Sequence, residues 1–93
     1  MRVIWSAPAE ADLDHIVLHI AAENLGAALG QEDRIRDGVL MLEQHPHLGR
    51  PGRLPNSREL VVTGTPYLVV YYVGTLQVEI ARVIHGARNW PPE

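Results

Sequence analysis

The chain contains no cysteine and no lysine. Without cysteine there is no disulfide framework, no thiolate zinc site and no cysteine nucleophile. Without lysine every basic side chain is an arginine, whose planar fork suits carboxylate and phosphate partners. Long hydrophobic runs are missing as well: nothing approaches the roughly 20 apolar residues of a membrane span, and the N-terminal MRVIWSAPAEADL lacks the apolar core of a secretory signal. A soluble, cytoplasmic protein is expected. Positive charge is also scarce. The formal net charge is -3 and the pI near 5.9, well short of the value above about 9 typical of nucleic-acid-binding domains. Any contact with nucleic acid would have to be local.

The charge that is present is divided unevenly. Residues 1–43 hold eight acids and three arginines, whereas residues 44–93 hold five arginines and three acids. With 93 residues the chain is one domain, 1–93, because a chain this short buries only about 60–65% of its unfolded surface and has no material for a second core.

Arg2-Val3-Ile4-Trp5 reads as a first strand. Ser6 and Pro8 then open a helix, with Pro in the first turn where its missing N–H costs nothing. Leu13, Ile16, Val17 and Ile20 mark one face of that helix, predicted from Pro8 to Glu23, while Glu10, Asp12 and Asp14 complement its dipole. Asn24-Leu25-Gly26 breaks the pattern. A second helix carries Ala28, Ile35, Val39 and Leu42 on one stripe with Glu32. Gly30 and Gly38 each weaken that helix by up to about 1 kcal/mol relative to Ala unless a close approach requires them.

HPHLGRPGRLPN, residues 45–56, is too rich in Pro and Gly for regular structure and is expected as a surface linker. Three strands follow, at 58–63, 66–73 and 77–84, joined by tight turns at Gly64-Thr65 and Gly74-Thr75. The middle one is apolar on both faces and is therefore expected at the centre of the sheet. In the last one Val78, Ile80, Arg82 and Ile84 share a phase, opposite Glu79, Ala81, Val83 and His85. The fold class is α+β, β-α-α-β-β-β, with a helix hairpin packed on a small, mainly antiparallel four-stranded sheet.

His15 and His19 have the spacing of metal ligands on a helix, but the segment lacks the glutamate and third ligand of a zincin. No metal and no cofactor is expected. No nucleophile signature or phosphate-binding Gly loop is present. What remains is a basic and polar set in the second half: Arg50, Arg53, Arg58, Arg82, His85 and Arg88, with Tyr67, Tyr71 and Tyr72 on the strands. Those residue types could cleave RNA, arginine stabilising charge on a phosphodiester and histidine moving a proton. They could equally grip an acidic partner peptide. Arg82 either joins an ion pair, with Glu59 across the sheet as the candidate, or acts in function. Trp90 either plugs the sheet or anchors a partner. Leu18, Leu40 and Met41 fall off the core stripes and are candidates for an exposed patch.

The element order, the segments "SAPAEADLDHIVLHIAAENLGAAL" and "HPHLGRPG", and the ending "YLVVYYVGTLQVEIARVIHGARNW" together resemble the RelE/ParE superfamily of toxins from bacterial type II, plasmid-stabilisation-type toxin–antitoxin modules. The resemblance spans almost the whole chain, and the hairpin and linker motifs look ParE-like. It implies a toxin that inhibits DNA gyrase without being an enzyme, neutralised by a cognate antitoxin whose C-terminal segment wraps it as helix and extended strand. The RelE-like alternative is a ribosome-dependent mRNA endonuclease with His85, Arg82, Arg58 and Arg88 as its site. Against it, Thr63, Leu68 and Ala87 stand where such nucleases carry basic residues. On this resemblance Arg82, His85, Arg88 and Trp90 form the target-binding set, and Leu18, Leu40, Met41, Arg50, Arg53, Arg58 and Tyr72 the antitoxin-binding set.

Overall fold

Ser6 ends the first strand and opens the first helix at once. Its N–H donates to the Ile80 carbonyl at 2.9 Å, while its hydroxyl accepts from the Ala9 N–H at 3.2 Å and donates to the Ala81 carbonyl at 3.0 Å. One residue thus caps a helix and ties it to the far end of the chain. The computed structural model describes residues 1–92 and places β1 at Arg2–Trp5, α1 at Ala7–Ala21 and α2 at Leu25–Leu40, which runs on into a 3-10 turn at Met41–Glu43. β2 (Arg50–Pro51), β3 (Ser57–Val61), β4 (Tyr67–Val73) and β5 (Gln77–His85) follow. Asn24 does more than break the first helix, since its Oδ1 accepts from the Ala27 N–H at 2.9 Å and starts the second.

The sheet order is β1-β5-β4-β3-β2, with β1 parallel to β5 and every other pair antiparallel. The doubly apolar β4 is central, as its sequence requires. The sheet has five strands where four were expected, because Arg50 and Pro51 inside the Pro-rich linker pair with Glu59 and Arg58. Pro is admissible there because this is an edge strand.

Both helices cover one face. Ala9 and Leu13 of α1, Ile35 and Val39 of α2, and Leu42 pack with Leu60, Val62, Val69, Tyr71, Val78, Ile80 and Val83. A smaller cluster of Leu68, Val70, Ile84 and Trp90, with Leu54 and Ala81 against it, fills the helix-free face. The expected phase of β5 fails in its second half: Val83 joins Val78 and Ile80 on the helix side, and Ile84 goes to the other face. The cause is a register shift opposite Val70 and Tyr71. Val70 pairs with Arg82 and Tyr71 with Ile80, so Ala81 is the extra residue of a β-bulge.

The linker is held from inside the sheet. Tyr71 is fully buried, and its hydroxyl donates to the Pro46 carbonyl and accepts from the Gly49 N–H, both at 2.8 Å. A Cβ at position 49 would meet the Tyr71 ring at 2.8 Å, which explains the glycine. Gly64, at φ 79 in the turn between β3 and β4, is the glycine that takes a left-handed conformation among the described residues.

Candidate functional site

Three groups of polar and exposed apolar residues stand apart from the core. The first surrounds the end of β5. Arg82 does not reach Glu59. Its Nε and Nη2 donate to the two carboxylate oxygens of Asp12 on α1, at 2.6 and 3.0 Å, and the same carboxylate accepts the Val83 N–H at 3.0 Å. β1 stops before this point, so Asp12 takes over the edge of β5 where a strand would otherwise pair. The bidentate bond to Asp12 holds the Arg82 guanidinium more firmly in its charged form. That guanidinium also lies 5.7 Å from the centroid of the Trp90 ring.

Trp90 is 8% exposed and packs in the helix-free cluster, with its indole N–H buried and without a hydrogen-bond partner among the described residues. It plugs the sheet, so contact with a partner would need this tail to move. Leu68, one of the residues expected to stand in place of a nuclease's basic side chain, is buried in the same cluster. His85 remains exposed, its ring 5.5 Å edge-to-face from Tyr67 and its Nδ1 accepting the Ala87 N–H at 3.0 Å. Arg88 is exposed on the tail beyond.

The second group is built on Glu59, a buried carboxylate on β3. Oε1 accepts from Arg50 at 3.2 Å and Arg53 at 2.9 Å, and Oε2 accepts from the Arg53 side chain at 3.1 Å and its backbone N–H at 2.9 Å. The Arg53 side-chain bonds, reinforced by its N–H and by Arg50, pull the Glu59 pKa down to about 2 against the opposing effect of burial. Arg50 and Arg53 are therefore structural partners as well as exposed cations, their side chains 58% and 45% accessible. Arg58 donates to the Gly49 carbonyl at 2.7 Å and to that of His47 at 3.4 Å. Arg50 and Arg53 thus tie the linker to β3, and Arg58 ties β3 back to the linker.

The third group was not expected from the sequence. An apolar groove of about 540 Å³ lies between α2 and β3. Met41, Leu48 and Val61 stand exposed along it, and Gly38, Leu60 and Val62 line its depth. Of the residues expected to form an apolar patch, Met41 lines this groove, Leu40 lines a second, smaller one beside Val3 and Trp5, and Leu18 lines neither. Tyr72, assigned with them to the antitoxin-binding set, is half-buried on β4 and lines neither groove. The signal that could have been read is Val61: in a two-faced strand it is the apolar residue that the alternation sends away from the core.

Among the described residues no three His, Cys, Asp or Glu side chains converge as a metal cage, and no helix is long and apolar enough to cross a membrane. The geometry favours a protein that binds proteins: exposed apolar grooves, paired arginines, and a sheet face closed by its own side chains.

Comparison with known proteins identifies the family. Residues 3–90 match the family model for the ParE toxin of the type II toxin–antitoxin system parDE. Protein Y4kP of Sinorhizobium fredii, named as a candidate toxin, is 37% identical over 90 residues, covering 97% of this chain and 93% of that protein. Among solved structures, one from a chromosomal ParDE system of P. aeruginosa superposes with a TM-score of 0.85 at 28% identity, over 91% of this chain and 95% of the other. A chain of the RelBE2 toxin–antitoxin complex of Mycobacterium tuberculosis gives a TM-score of 0.57 at 25% identity, over 90% and 95%.

Proposed function

The chain belongs to the ParE family of toxins of type II toxin–antitoxin systems, and from that premise we propose that it acts by binding DNA gyrase and is neutralised by a cognate antitoxin. One observation carries the choice of binding over RNA cleavage. The helix-free sheet face, where a nuclease of this superfamily would present cations, is filled by Leu68, Val70, Ile84, Leu54 and Trp90. Arg82 is committed to Asp12 and Arg58 to backbone carbonyls, so His85 has no ring of unengaged arginines to stabilise a phosphorane. His85 and Arg88, exposed past the end of β5, are the polar part of the target-binding surface, and Arg82 and Trp90 hold that corner in shape.

The antitoxin reading has separate support. Leu18, Leu40 and Met41 are each more than half exposed, at 68%, 59% and 52%. Arg50 lines the same groove as Met41, and Arg53 and Arg58 line a separate polar pocket of the linker, where their charge would set the register of an acidic partner segment.

Purified protein added to gyrase should block supercoiling of relaxed plasmid, and the block should lift when the antitoxin is added in equimolar amount. Translating ribosomes incubated with the same protein should keep their messages intact. Unchanged supercoiling together with discrete cuts in the message would replace this reading with the endonuclease one, and loss of those cuts in His85→Ala would then identify the proton carrier.

A further inference from the structure

Arg82, His85, Arg88 and Trp90 do not form one surface in the free chain. His85 and Arg88 are exposed, Arg82 is committed to Asp12, and Trp90 is packed away at the helix-free face. The indole N–H of Trp90 is buried without a hydrogen-bond partner among the described residues. A buried tryptophan ordinarily finds an acceptor for that group, because folding otherwise forfeits the bond it made to water. Leu68, Val70 and Ile84 around it offer only apolar side chains. A plug that served the fold alone would be better made from a side chain with no donor, such as Phe or Leu.

The attachment of the tail is an independent observation. The Gly86 N–H donates to the Pro66 carbonyl at 2.7 Å, the Ala87 N–H to Nδ1 of His85 at 3.0 Å, and the Arg88 N–H to the His85 carbonyl at 2.9 Å. Beyond Arg88 no hydrogen bond joins residues 89–92 to any other described residue. One side chain, Trp90, therefore seats the end of the tail, and the turn at 85–88 is the fixed point about which it would swing. Lifting Trp90 away would bare Leu68, Val70 and Ile84. It would also bare one side of the Arg82 guanidinium, which lies 5.7 Å from the ring centroid and stays in place on Asp12.

We propose that Trp90 has two seats. In the free chain it closes the helix-free face; on the target it swings out about the turn at 85–88 and enters an apolar pocket whose depth holds one hydrogen-bond acceptor for the indole N–H. The inference rests on the reading of the chain as a toxin that binds gyrase, and it adds which side chain anchors that contact and what the side chain must leave to do so. The orphaned donor makes the free seat weaker than its apolar burial alone would make it, and the same donor strengthens the seat on the target. One N–H thus favours the exchange at both ends. Trp90 then acts as an aromatic anchor framed by Arg82, His85 and Arg88.

Benzothienylalanine at position 90 tests this, since it keeps the shape of the indole and replaces the N–H by sulfur. The full chain carrying it should gain about 4 °C or more in Tm, while the concentration that half-inhibits supercoiling by gyrase should rise at least about 10-fold. A gain in stability joined to a loss of inhibition is what a purely structural plug would not show. A diazirine-bearing tryptophan at the same position, which retains the N–H, reads the movement directly. Illuminated in the free protein it should insert into β4 and β5 of its own chain, and illuminated in the gyrase complex it should insert into gyrase.

A benzothienylalanine protein that inhibits gyrase as well as wild type overturns the proposal and leaves the gyrase reading intact. Insertion confined to the toxin's own chain in the gyrase complex does the same, and this second measurement stands even if the first variant fails to fold. Wild-type protein without effect on supercoiling overturns the gyrase reading, and the inference with it.

Discussion

Replacing Glu59 by Gln tests whether one buried carboxylate organises the linker. The carboxylate accepts four hydrogen bonds from Arg50 and Arg53, and its pKa falls from an ordinary 4.5 to about 2. A pKa lowered on folding contributes stability that is fully present above the unfolded value and is lost as pH falls through the folded one. The contribution should therefore be complete above about pH 5 and gone near pH 2. Its size at neutral pH is up to about 3 kcal/mol, at about 1.4 kcal/mol per unit. Gln can still accept from the Arg53 N–H, which brings the expected loss to about 2–3 kcal/mol and the fall in Tm to more than about 10 °C. Urea denaturation of wild type and variant should be followed by circular dichroism from pH 7 to pH 2. Other carboxylates change both proteins alike, so the quantity of interest is the difference between the two curves, which should shrink to near zero at pH 2. A gap that stays constant with pH would mean that Glu59 acts through packing and not through its charge.

Asp12→Ala removes both bonds to Arg82 and the partner of the Val83 N–H, and should cost about 2–3 kcal/mol in the same urea assay. Tyr71→Phe leaves the Gly49 N–H and Pro46 carbonyl without their shared hydroxyl, for a loss of about 1–3 kcal/mol, and should speed hydrogen exchange at Gly49 while leaving β4 amides protected. In a Trp5→Phe background the remaining tryptophan should emit like a buried indole, and Trp90→Ala should destabilise the fold by about 3 kcal/mol or more and open the helix-free face to a hydrophobic dye. Red-shifted emission in the single-tryptophan protein would show that the tail is not seated.

Much of the architecture could be read in advance because it rests on local regularities. Periodicity near 3.6 at Leu13 and Ile35, alternation at Val69 to Val73, and Ser6, Asn24 and Gly64 as punctuation depend only on neighbours in the chain. Arginine and histidine could be recognised as the residues of interest, yet their roles could not. Arg82 finds Asp12 across 70 residues, and Glu59 draws Arg50 and Arg53 to one point only because a two-residue strand lays the linker beside β3.

By itself the sequence determined a helix hairpin, a meander with β4 at its centre, and a family likeness carried by motif order. Tertiary structure decided which face each residue of β5 serves, because a bulge at Ala81 inverts the alternation and nothing local marks it. It also decided that Trp90 fills the helix-free face, that Arg50, Arg53, Arg58 and Arg82 are partnered, and that Val61 borders a groove with Gly38 in its depth. Those outcomes follow from contacts between distant segments, where burial and charge are compared across the whole fold and no window of sequence contains both partners.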